Sequence, residues 1–76
     1  MTEDGRVRAA IDRLVKAQRE LDAAAQQASK AKARLEAGAA TPSDVVIAET
    51  RLHRARDWLR MAGQDVKAAR QGRSLR

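Results

Sequence analysis

The chain has no cysteine, no tyrosine and no phenylalanine; it has one proline, one tryptophan and four glycines in 76 residues. Without cysteine there is no disulfide framework, no thiolate nucleophile and no Cys-ligated zinc. The one histidine, His53, stands among Arg51, Arg54 and Arg56. Metal binding needs several converging ligands, and these cationic neighbours oppose it. The glycines are isolated, so no phosphate-cradling loop forms. No apolar run approaches the roughly 20 residues of a membrane span. The opening Met1-Thr2-Glu3-Asp4 lacks the apolar stretch of a signal peptide. The expectation is a cytoplasmic, non-enzymatic protein with no cofactor, no metal and no membrane partner.

What is present is a helix former's composition, arranged as one rule used twice. In the first half, Val7, Leu14, Leu21, Ala28 and Leu35 recur every seven residues. Ala10, Ala17, Ala24 and Ala31 follow three residues behind. In the second half the large positions are Val45, Leu52, Leu59 and Val66, and the small ones Ala48, Ala55, Ala62 and Ala69. Alternating spacings of three and four put each set on one stripe of a helix. A seven-residue period over about four heptads is a coiled-coil seam.

The expected organisation is a single domain over 1–76: a helix over 3–37, a turn over 38–41, a helix over 42–70 and a basic tail over 71–76. Thr2 caps the first helix. Gly38 ends it, because glycine takes the left-handed conformation without a Cβ penalty. Thr41, Pro42 and Asp44 supply an N-cap, a proline at the first helical position and an approximate capping box. A short connection makes antiparallel neighbours. Folding the chain about residue 40 places large residues opposite large ones and Ala opposite Ala, as in Leu35 with Val45, Leu21 with Leu59 and Ala24 with Ala55, with Ala28 taking a large slot opposite Leu52. The fold class is therefore all-α, an antiparallel two-helix coiled-coil hairpin with an Ala-rich seam. So thin a core favours association, so dimerisation into a four-helix bundle is expected. Ile11, Val15, Ile47, Trp58 and Met61 lie off the seam and form the candidate oligomer interface.

The net charge of +6 is unevenly distributed. Residues 1–29 are neutral, with five basic and five acidic side chains, and the excess falls entirely on 30–76. A basic excess with a pI near 11.1 favours a polyanionic partner. The candidate nucleic-acid-binding residues are Lys30, Lys32, Arg34, Arg51, Arg54, Arg56, Arg60, Arg73 and Arg76. Arg forks to phosphate oxygens. No DNA-reading motif and no aromatic pair for base stacking accompanies them, so binding would be phosphate-directed and salt-dependent.

The segment Gly38-Ala39-Ala40-Thr41-Pro42-Ser43-Asp44-Val45, followed by Ala48-Glu49, Leu52 and Ala55-Arg56, resembles the repeat that opens a long helix in outer-membrane efflux channels. The hairpins of periplasmic adaptor proteins are similar. The match covers about residues 38–56 and implies a capped antiparallel helix start. The overall plan also resembles the Rop family, dimers of helical hairpins that bind RNA, on architecture alone. The functional expectation is a small homodimeric hairpin that binds DNA or RNA through an Arg-rich face as an accessory or regulatory factor. The alternative is an adaptor hairpin that docks on another helical protein.

Overall fold

Two helices, α1 (Thr2–Glu36) and α2 (Pro42–Ser74), lie side by side and joined by a five-residue connection. The computed structural model describes the backbone of residues 2–74 and the side chains of residues 5–71. The result is an all-α hairpin, a rod of 58 × 15 × 11 Å. Among the described residues there is no strand.

The connection forms as its residues dictate. Gly38 has φ +74°. Its N–H donates to the Leu35 carbonyl at 3.0 Å, and the Ala39 N–H donates to the Arg34 carbonyl at 2.7 Å. This pair of bonds is the Schellman motif, which satisfies carbonyls that the end of α1 would leave orphaned. At the start of α2 the Thr41 N–H donates to Asp44 Oδ2 at 2.9 Å, and the Asp44 N–H donates to Thr41 Oγ1 at 3.3 Å. The capping box is therefore reciprocal, with Asp in the place usually held by Glu or Gln.

The seam is the expected one. Ala10, Ala17, Ala24, Ala28, Ala48, Ala55 and Ala62 are buried, together with Val45 and Val66. Val7, Leu14, Leu21, Leu35, Leu52 and Leu59 are only half-buried. The Ala methyls bring the backbones together, and the larger side chains splay over the edges of the contact. Among the described residues no polar side chain is buried.

Two expectations need correction. The first concerns the end of α2. The stop expected at Gln71-Gly72, with a loose tail over 71–76, is not where the helix ends, because α2 continues to Ser74. A helical glycine costs only about 1 kcal/mol relative to Ala, which weakens a helix without breaking it. Leu75 and Arg76 lie outside the described residues.

The second concerns register. Folded about residue 40, Arg51 stands opposite Ser29, nine positions from Glu20. At 1.5 Å per residue that is an axial gap of about 13.5 Å. Yet Arg51 Nε donates to Glu20 Oε1 at 2.7 Å. Two side chains that each reach about 5 Å when fully extended cannot bridge that gap and the space between the helices as well. The arms are therefore shifted. A shift of about four residues toward the open end restores reach. It also sets Leu52 over Ala24, Leu21 over Ala55, Leu59 over Ala17 and Leu14 over Ala62. Large-on-large layers alternating with Ala-on-Ala layers would demand a helix spacing that widens and narrows every half heptad. Large-on-small layers keep the spacing constant.

Two sets of variants test this account. The cysteine-free chain allows a clean cross-link: Ala24→Cys with Leu52→Cys closes a disulfide readily in oxidising buffer, whereas Ala28→Cys with Leu52→Cys closes slowly, its Cα atoms being too far apart. Faster closure of the second pair restores the fold about residue 40. Separately, Gly63 sits in α2 with open space where a Cβ would go, while Gly38 has positive φ. Gly63→Ala raises stability by about 0.5–1 kcal/mol in chemical denaturation. Gly38→Ala lowers it by about 1–2 kcal/mol.

Candidate nucleic-acid interface

The seam positions fix which way every other side chain points. Residues flanking it fall on two sides of the rod, and contacts between the arms identify each. On one side Arg51 reaches both Glu20 and Gln27. On the other, Lys32 Nζ lies 3.8 Å from Glu49 Oε2. Residues seven apart share a side, so the remaining positions follow from these pairs.

The Arg51 side of α2 carries Ile47, Arg51, Arg54, Trp58 and Met61, spaced by four and three. Facing it from α1 are Glu20, Gln27, Lys30 and Arg34. Near the turn this side opens into a groove of ≈ 610 Å³ lined by Gln27, Lys30, Arg34, Asp44 and Ile47 above small side chains such as Ala23 and Ala31. The Lys32 side of α2 carries Val46, Glu49, His53, Arg56, Arg60, Gly63, Lys67 and Arg70, again spaced by three and four. Facing these from α1 are Ile11, Val15, Gln18 and Lys32.

The candidate residues therefore do not form one surface. Lys30, Arg34, Arg51 and Arg54 lie on one side, and Lys32, Arg56 and Arg60 on the other. All seven are exposed. Arg73 lies within α2, but its side chain is outside the described ones, as is the whole of Arg76. The expected apolar patch divides likewise. Ile47, Trp58 and Met61 share the Arg51 side, at 63, 42 and 59 % exposure. Ile11 and Val15 share the Lys32 side. Lys67 and Arg70, absent from the expected set, extend the row begun by Arg56 and Arg60. Their signal in the sequence is the same three-four spacing, which becomes meaningful once a side is defined. Val46, also exposed, was equally open to that reading.

The cations differ in how far their charge is already engaged. Arg51 is tied to Glu20 and Gln27, so it holds the arms in place. That hydrogen bond pulls the Glu20 carboxyl below its ordinary range and pushes the Arg51 guanidinium up. Asp57 lies 3.6 Å from His53 Nε2 and 3.5 Å from Arg60. Such exposed pairs contribute little and leave Arg60 available to a stronger anion. Asp44 is held low chiefly by the hydrogen bond from the Thr41 backbone, then by that from its hydroxyl, with Arg34 adding a weaker pull. Among the described residues, no three His, Asp or Glu side chains come together where they could hold a metal ion, and no helix is long and apolar enough to cross a membrane.

Comparison of the chain with protein-family profiles, with curated proteins and with solved structures finds no match.

The cap carries a pH dependence. A carboxyl whose pKa is lowered by folding adds stability that is complete above the ordinary carboxylate range and is lost as pH falls through the folded value. Asp44→Ala therefore melts below the unaltered chain at neutral pH, and the gap in Tm narrows as the solution is acidified. A gap that stays constant down to low pH would mean that Asp44 acts through packing instead of charge.

Proposed function

We propose that this hairpin is a nucleic-acid-binding accessory factor, without catalytic activity, that works as a homodimer. It holds phosphates along the Lys32 side of α2. The observation that carries the reading is the row of Arg56, Arg60 and Lys67, with His53 and Arg70 at its ends, on one side of an unbroken helix. Arg offers paired donors to phosphate oxygens and Lys a mobile point charge. Cations aligned on one rigid surface act on one polyanion together, and the affinity that results is electrostatic and salt-dependent. The net charge of +6 supports this by favouring encounter with any polyanion.

Dimerisation belongs to the opposite side. Ile47, Trp58 and Met61 are all well exposed there. A two-fold axis through that side makes a four-helix bundle and leaves both cationic rows facing outward. The same exposure favours a second reading, in which the Trp58 side docks on another helical protein.

A mobility-shift titration at low salt tests the binding. The unaltered chain shifts both DNA and RNA probes, and the double variant Arg56→Glu with Arg60→Glu shifts neither. Light scattering then gives a mass of twice 8.3 kDa. Failure of the unaltered chain to bind at low salt removes the nucleic-acid reading. A monomer in solution removes the dimer and leaves the Trp58 side to a foreign partner.

A further inference from the structure

We infer, resting on that reading, that the polyanion is a duplex held by its phosphates alone, and not a single strand. Three observations converge. The first is the absence of Trp, Tyr or Phe beside the row. The chain has one aromatic side chain, and Trp58 lies seven residues from Arg51, on the opposite side of the rod. Beside the row, α1 presents Ile11, Val15, Gln18, Asp22 and Ala25. Single-strand binders combine a basic groove with aromatic side chains that stack on successive bases. Here Arg56, Arg60 and Lys67 face away from Trp58, whose own side carries Arg51 and Arg54.

The second observation is rigidity and length. From His53 to Arg70 the row runs about 26 Å along one helix. A major groove is about 12 Å wide, so a row of this length spans it and reaches the phosphates of both strands. A flexible single strand gains nothing from a straight row, because it must itself be straightened to follow it.

The third is charge density. A duplex presents one phosphate per about 1.7 Å of axis, twice that of either strand alone. A convex rod with cations on one line gains most from the denser array. Base edges are read by side chains that enter a groove and fork to them. The row is already straddling the groove, so sequence preference is weak.

The test uses the full-length chain and three probes: a 20-bp DNA duplex, one of its strands, and vesicles of anionic phosphatidylglycerol. Binding is read by anisotropy of a label on the nucleic acid and by sedimentation of the vesicles, and Trp58 emission reports whether the bound molecule reaches the Trp58 side. With about four phosphate contacts and equal affinities at 1 M salt, the difference in salt slope between duplex and single strand makes the duplex about tenfold tighter at 50 mM salt. Duplex affinity falls by about 150-fold between 50 and 200 mM salt for the same number of contacts. Arg56→Gln and Lys67→Gln each reduce the slope by about 0.9, while Trp58 emission does not change on binding duplex. Equal or tighter binding of the single strand, or quenching of Trp58 by it, overturns the duplex assignment and leaves the nucleic-acid reading standing. Binding to neither nucleic acid overturns that reading itself, and vesicle binding in its place assigns the row to a membrane surface.

Discussion

The contact between alanine methyls along the seam is the constraint from which the rest of this molecule follows. Seven buried Ala side chains let two helix backbones run side by side at close range. Close range has a consequence for the larger residues. The Leu side chains at the alternate seam positions do not fit between the backbones, so they lie over the facing Ala and emerge half-buried at the edge, while the smaller Val45 and Val66 are buried. The apolar area removed from water is correspondingly small, well below the 1.5–3 kcal/mol per side chain of full burial. Stability therefore leans on the parts that cost least to order: long helices of good formers, a reciprocal cap and a Schellman turn.

The same constraint divides the surface. Because the arms touch along a narrow stripe, the positions on either side of it are separated by the full thickness of the rod. Arg51 and Lys32 mark the two sides by the partners they reach across the seam. Every exposed cation and every exposed apolar residue then belongs to one side or the other. The aromatic and thioether side chains fall with the engaged Arg51, and the longer row of cations falls with the exposed aliphatic Ile11 and Val15.

Much of this was legible in the sequence, and the limits of legibility are physical. The helix limits at the turn were legible because Gly38, Thr41, Pro42 and Asp44 each do something local, and local geometry decides the outcome. The seam was legible because a period of seven has no other economical explanation. The register was not, because a seven-residue repeat with two apolar positions fits itself in more than one phase. Large against large and large against small both keep polar groups out of the seam. The choice between them rests on backbone spacing and on the reach of Arg51, neither of which a pattern of residue types contains. The far end of α2 is less legible for a related reason. Gly72 looks like Gly38 on paper, but Gly38 has a capped helix start immediately after it to force the chain round, and Gly72 has not.

The site was legible only as a list. Nine basic residues counted together suggest one Arg-rich face, and five apolar residues suggest one patch, because composition has no sidedness. Sidedness enters once two cross-arm contacts anchor the heptad, and it changes the chemistry available. A surface that joined Trp58 to the whole cation set would suit single strands, with bases stacked and phosphates paired at once. The rod instead separates the stacking residue from the row of Arg56, Arg60 and Lys67. Each side mixes charge and apolar surface: Arg56, Arg60 and Lys67 stand with Ile11 and Val15, and Ile47, Trp58 and Met61 stand with Lys30, Arg34 and Arg54. In the proposed dimer Ile47, Trp58 and Met61 meet across a two-fold axis, which would add apolar burial to a small, half-buried core.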